Sequence, residues 1–278
     1  MSLSSPSGRG VRLTSNAVLL LIALTFIAPL VWLVLASLNS TASLSAELPG
    51  TPTLDNFAQV LTPALSFVPL WNSFLISAGS ALITVVVAIL AAYPLSRFKT
   101  RFNKPFLYGV LFATGLPITA MMVPVYSLFV RIGLVDSLLG TIFFMATSSL
   151  PIAIWMTKNF VDGVPTSLEE AAWMDGASSM RTLRSVVVPL MRPGIAVVFI
   201  YVFIHSWGNF FVPFVLLLSP EKQPASVSIY TFFGENGAIA YGQLAAYSLV
   251  YSIPVLVLYV IISRGVGGSS ALAGAVKG

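Results

Sequence analysis

Six runs of mainly apolar residues, each close to the roughly 20 that a bilayer-spanning helix needs, constrain this chain more than any other feature. They cover residues 17–38, 71–93, 106–130, 138–157, 194–217 and 245–263. None of the nine acids and none of the fourteen Lys and Arg residues falls inside them. Charged residues make up 8% of the chain, against about 25% in an average soluble domain. So little charge cannot cover the surface of a water-soluble fold, and the expected class is an all-α membrane protein with six transmembrane helices. Pro29, Pro117, Pro124, Pro151, Pro213 and Pro254 interrupt the runs. Membrane bundles tolerate this, because neighbouring helices satisfy the freed carbonyls.

Six crossings put both termini on one side. Arg9, Arg12, Arg97, Lys99, Arg101, Lys104, Lys158, Arg181, Arg184, Arg192, Arg264 and Lys277 lie on that side, and only Arg131 and Lys222 on the other. Basic residues concentrate in cytoplasmic loops, so both termini are expected in the cytoplasm. The net charge of +5 is then a topology signal and gives no reason to expect nucleic acid. The first run follows Arg9 and Arg12 and is too long for the roughly 7–15-residue core of a cleaved signal; it reads as a retained anchor. The expected organisation is a cytoplasmic tail at 1–16, a transmembrane domain at 17–263 and a second cytoplasmic tail at 264–278. The segment "MSLSSPSGRG" reads as disordered. The outer segments are 39–70, 131–137 and 218–244, the first and last long enough for short helices.

Residues 159–193 break the pattern. Topology needs only a turn there, yet the segment holds Asp162, Glu169, Glu170, Asp175, Arg181, Arg184 and Arg192. Each would cost about 2.5–3.5 kcal/mol at the centre of a bilayer helix, so the segment belongs in water or against protein. Pro165 blocks entry of a helix. Thr166 or Ser167 can cap one, with Glu169 or Glu170 three residues on, so both registers offer a capping box. Gly176 supplies a stop, Ser178 or Ser179 can cap a second helix, and Pro189 is expected to end it. A first helix of about two turns is unstable alone and must pack on something. Leu168, Ala171, Ala172 and Asp175 share one face. The segment is either a re-entrant loop packed on its own bundle or a docking element for a cytoplasmic partner.

Residues 170–189 read E-A-A-x-x-x-G, nine residues, then V-x-V-P. This resembles the EAA signature of ABC importer permeases, with Val186 and Val188 in place of the usual Ile and Leu. "FVDGVPTSLEEAAWMDGAS" resembles the carbohydrate-importer version. "LWNSFLIS" at 70–77 resembles the family's Asn-Ser entry to span two, "LPITAMMVPVYSLFVRIGLVDSLLG" at 116–140 its Pro…Pro-x-Tyr…Gly-Leu segment, and the terminal "ALAGAVKG" the carboxyl tail of the maltose-type second permease. The resemblance covers about residues 68–278. A narrower expectation, an actinobacterial amino-sugar importer, attaches to no motif.

The resemblance implies the type I ABC importer permease fold in a bacterial cell membrane, with a second permease subunit, two ATPase subunits and an extracytoplasmic solute-binding protein as partners. It implies that Glu169, Glu170, Ala171, Ala172, Met174, Asp175 and Gly176 couple to an ATPase subunit, with the Glu170 carboxylate meeting a cation in the ATPase cleft. Trp173 reads as interface or bundle packing. No cofactor is expected on this chain. ATP and magnesium belong on the partner, in keeping with the absence of any G-x-x-x-x-G-K-[ST] loop. No metal site is expected from a chain with no cysteine and one histidine.

For the substrate path the candidates are Thr119, Met122, Tyr126, His205, Trp207, Asn209 and Phe210. The first three lie where span three is broken by Pro117 and Pro124, and irregular helix at membrane depth often lines a cavity. His205 is the one ionisable residue inside a span; it is either functional or a neutral histidine bonded between helices. An indole and an amide suit a sugar. The family often has Trp-Asn-acid-Phe here and this chain has Trp-Gly-Asn-Phe, so the family's contacts through that acid do not carry over. The competing function is an ion-coupled secondary transporter of small polar solutes. It is disfavoured because symporters usually need carboxylates within their spans.

Overall fold

A computed structural model describes residues 9–45, 49–234 and 239–266. The first eight residues of the expected N-terminal tail and the terminal "ALAGAVKG" lie outside the described residues. Among the described residues the regular structure is helical, apart from one isolated antiparallel bridge between Phe233 and Ile239. The helices are α1 (Arg9–Ser37), α2 (Asp55–Val60), α3 (Val68–Arg97), α4 (Asn103–Thr114), α5 (Ile118–Ile132), α6 (Leu138–Asp162), α7 (Thr166–Met174), α8 (Ser179–Thr182), α9 (Val188–Leu190), α10 (Arg192–Trp207), α11 (Phe211–Leu216), α12 (Ala225–Ser228) and α13 (Tyr241–Val266).

Four stretches are long and apolar enough to cross a bilayer: Leu13–Ser37, Pro63–Arg97, Leu138–Asp162 and Tyr241–Arg264. Two bent pairs bring the number to as many as six. Two of the expected runs are broken where the sequence reads as continuous. The run at 106–130 is not one kinked helix. It ends at Thr114 and restarts at Ile118 after a 92° turn. Pro117, extended at φ −67° and ψ 122°, has no N–H to continue the helix and biases Leu116 away from α geometry. Pro124 is absorbed inside α5. The run at 194–217 stops at Gly208 and resumes as α11. Asn209 Oδ1 accepts the Val212 N–H at 3.0 Å, satisfying one orphan donor of the new helix.

The described residues fall into two compact units. The smaller comprises residues 1–62 and 229–252. Its joint is Asn56, buried, whose amide donates to the carbonyls of Ser37 and Asn39 at 3.0 and 2.9 Å. Phe232 packs on Tyr247 with ring centroids 5.0 Å apart. The apolar side chains along most of α1 stay exposed, as expected of a helix whose solvent is lipid.

The larger unit, residues 63–228 and 253–278, is built on α3 and α6. The buried face of α3 carries a stripe of small residues among larger ones: Ser73, Ser77, Ser80, Ala81, Thr84, Ala88 and Ala92. Gly140, Thr141, Ala146, Ser149 and Ala153 are small residues on the buried face of α6. Small residues let membrane helices approach closely. Here they also bond: Ser80 Oγ donates to the Ile142 carbonyl at 3.2 Å and Thr84 Oγ1 to the Ala146 carbonyl at 3.1 Å.

Two apolar clusters lie at different levels of this unit. One joins Ile76, Met122, Phe129, Met145, Val212 and Leu216. The other joins Ala92, Tyr93, Val161, Leu183, Val187 and Met191. Beyond the first cluster the α5–α6 turn is clasped to the segment after α11. Asp136, in the left-handed region at φ 59°, accepts the N–H groups of Leu218 and Ser219 at 3.0 Å, the Ser219 hydroxyl at 2.6 Å and Lys222 Nζ at 2.7 Å. These donors hold its carboxyl far below the ordinary carboxylate range, Lys222 contributing most. The Asn-Ser pair of "LWNSFLIS" secures the same segment from α3. Asn72 donates to the carbonyls of Glu221 and Gln223, and Ser73 Oγ accepts the Ala225 N–H at 2.9 Å.

Candidate functional site: the charged insert

The insert leaves α6 at Asp162 and turns through Gly163 to Pro165. Pro165, at φ −59° and ψ 128°, is the N-cap of α7. No side chain caps this helix: Pro165 takes the N-cap position and Thr166 and Ser167 lie inside the first turn, so neither register of the expected capping box forms, and Glu169 is engaged elsewhere. Glu169 points into the protein and is 0% exposed. Its Oε1 takes Arg97 Nε at 2.6 Å and Arg97 Nη2 at 2.6 Å, and its Oε2 accepts the Tyr93 hydroxyl at 2.9 Å. Arg97 Nη2 also donates to the carbonyls of Val161 and Val164 at 2.9 and 2.8 Å. Arg97 Nη1 donates to Ser96 Oγ at 3.1 Å, and Ser96 in turn donates to Asp162 at 2.5 Å. Lys158 pairs with the other Asp162 oxygen at 2.6 Å.

Position 170 comes about 100° further round the helix, and Glu170 is exposed. So are Leu168, Ala171, Trp173, Met174 and Asp175, with Met174 at 88%. Among the candidate coupling residues, then, Glu170, Ala171, Met174, Asp175 and Gly176 lie on the outer surface, Ala172 is half-buried and Glu169 lies inside. Arg97 and Tyr93 were missed from sequence. Arg97 had served only as a topology charge, and the single signal it offered was its place at the C-terminal end of a long helix, where a cation is favoured.

The exit from α7 follows the expected grammar. Gly176 takes φ +81° with nothing within 4 Å of an added Cβ, so backbone conformation alone demands glycine there. Its N–H bonds to the Trp173 carbonyl, and the Ala177 N–H to that of Ala172, both at 2.9 Å, a Schellman-type closure. Ser178 Oγ accepts the Arg181 N–H at 3.4 Å. Pro189 does not end the second helix. The π-turn Leu183–Val187 precedes it, and the helical path continues through α9 to Leu190. A wide turn accommodates the ring and the missing donor of a following proline. Pro63–Phe67, ahead of Pro69, repeats the device. The chain then bends by 80° into α10, where Gly194 lies against the Phe160 ring. A groove of about 270 Å³ between α7 and the next segment is lined by Ala172, Asp175, Arg181 and Ser185 among others.

The substrate-path candidates separate. Met122 is a core residue of the first apolar cluster and Tyr126 is half-buried against it, while Thr119 is exposed. Trp207 is buried and stacks on Phe203 with centroids 5.6 Å apart. Phe210 stacks on Phe214 at 4.9 Å, and Asn209 caps α11 as described above. His205 is exposed and stacks on Tyr201 at 6.2 Å. The two share an open, apolar groove of about 500 Å³ with Met156, Val197, Ile200 and Ile204. Of the α10 candidates the structure thus brings His205 to an open cavity and turns Trp207 inward.

Residues 84–268 match the family model described as "Binding-protein-dependent transport system inner membrane component". The chain is 34% identical over 230 residues to a putative ABC transporter permease, ORF1, of Streptomyces antibioticus, covering 83% of this chain and 100% of that one. It is 31% identical over 253 residues to SugB of Mycobacterium tuberculosis, a trehalose transport system permease, covering 90% and 92%. In fold it is similar to a chain of a bacterial ABC transporter that imports the acidic polysaccharide alginate. The TM-score is 0.80 at 22% identity, over 95% of this chain and 99% of that one.

Proposed function

The chain belongs to the family of binding-protein-dependent transport system inner membrane components, and from that premise we propose that it is one permease half of an ATP-driven importer of a carbohydrate. A second permease completes the path, two ATPase subunits dock beneath, and a solute-binding protein delivers substrate from outside a bacterial cell membrane. The observation that carries this reading is the outer face of α7. A charged carboxylate, Glu170, sits beside the largely exposed Met174 on an element that the charge of the insert keeps out of lipid. An exposed apolar side chain rimmed by charge suits a protein partner. Closure of the ATPase pair on ATP pushes this helix, and the permease halves rock between inward- and outward-facing states. The carbohydrate class is supported by the trehalose permease among the relatives and by the alginate importer in fold.

Purification of the chain with the other subunits of its transport system, followed by uptake of a radiolabelled carbohydrate into proteoliposomes, tests the proposal. Uptake that requires ATP inside, and that the pair Glu170→Lys with Gly176→Asp abolishes while the chain still inserts, is the expected result. Uptake by this chain alone and without ATP would sink it.

A further inference from the structure

We propose that Arg97 is a positioning residue that locks the coupling helix α7 to the ends of α3 and α6, so that the three move as one body when the ATPase pushes. This deepens the proposed function and rests on it. The argument starts from how Arg97 is used. All three guanidinium nitrogens are engaged, on three different elements: Ser96 beside it on α3, the Val161 and Val164 carbonyls at the end of α6, and the Glu169 carboxylate of α7. Its side chain is 8% exposed and that of Glu169 is 0%. A buried ion pair of this kind is a poor source of net stability, since desolvation offsets the attraction. Its best-attested use is to fix geometry.

A planar fork is suited to that task where a lysine is not. It points several donors in set directions, while an ammonium is a point charge on a flexible stem. Tyr93 closes the second Glu169 oxygen, so the carboxylate cannot swivel about a single contact. A nine-residue helix has little rigidity of its own and would tilt under load if nothing held its inner face. With Glu169 held, displacement of the Glu170 face is delivered to α3 and α6.

The experiment uses the whole transporter in proteoliposomes. The chain has no cysteine, so Thr166→Cys on α7 and Lys99→Cys just beyond α3, both exposed, give a clean spin-label pair. In the otherwise unaltered complex the label-to-label distance is expected to stay the same in the nucleotide-free and vanadate-trapped states. A distance that changes between those states overturns the proposal whatever the variants do. In Arg97→Gln and Arg97→Lys, ATPase subunits still co-purify and hydrolyse ATP, but solute moved per ATP falls by about tenfold, within the range of coupling energies between sites. The label distance also becomes state-dependent. An unchanged solute-to-ATP ratio in a complex that assembles overturns it equally. Absence of any ATPase or ATP-driven uptake in the unaltered transporter would instead refute the proposed function, which separates the two failures.

Discussion

Two adjacent glutamates, identical in chemistry, have opposite environments because a helix turns about 100° between them. Glu169 ends among Arg97 and Tyr93, and Glu170 faces out. Glu169→Ala strands a buried guanidinium and should cost about 3–5 kcal/mol, read as a fall in melting temperature of the detergent-solubilised chain. Glu170→Ala should leave melting unchanged and reduce ATP-dependent uptake. The sequence displays both acids and cannot say which one turns inward, because the partner that decides it lies 72 positions away. The same limit applies to Asp136, visible only as a loop acid until its donors from Leu218 to Lys222 are in place. Its depressed pKa means that the unfolded state takes up a proton first on acidification. The clasp therefore stabilises the chain above about pH 4, near the unperturbed value of 3.8, and that contribution fades as pH falls further. Melting followed from pH 7 to pH 3 should show a gap between the native chain and Asp136→Asn that is constant above about pH 4 and begins to narrow below it.

Helices were easier to foresee than their interruptions. Apolar length located the four long candidate spans, but a run at 106–130 or 194–217 looks continuous because most residues around its turns are themselves apolar. Leu116–Pro117 and Gly208–Asn209 carry the breaks, and hydropathy is blind to both. The reverse holds at Pro189, a residue that sequence rules treat as a stop and that a π-turn absorbs. Helix-to-helix distance is equally hidden. A Cβ at Gly194 would lie 2.3 Å from the Phe160 ring, closer than any real contact, so α10 can leave its bend against α6 only with glycine there. Gly194→Ala should destabilise by about 1–3 kcal/mol through overpacking. In a Phe160→Ala background, which removes the ring atoms that the new methyl would meet, Gly194→Ala should cost little further melting temperature. An equal loss in that background would show that the collision is not the cause.

At the scale of the molecule, the charge asymmetry of the loops, twelve basic residues against two, predicts which side of the membrane the insert occupies. A single Met174→Cys in this cysteine-free chain, expressed without the ATPase subunits proposed to cover that face, should react with a membrane-impermeant maleimide in inside-out vesicles and stay unlabelled in right-side-out cells. Labelling from outside would reverse the topology. Composition and spacing made the membrane class, the insert and its exit turns legible. They left unseen the clasp at Asp136 and the lock at Arg97, because both join segments far apart in the chain.

The α3–α6 pair has one further consequence. Its two hydroxyl bonds, from Ser80 and Thr84 to Ile142 and Ala146, are spaced four residues apart on both helices. Sliding one helix along the other would break both together, and the next register that restores the four-residue spacing lies about 6 Å away. The pair therefore favours discrete stops over gradual sliding, each bond adding about 1 kcal/mol to the preference.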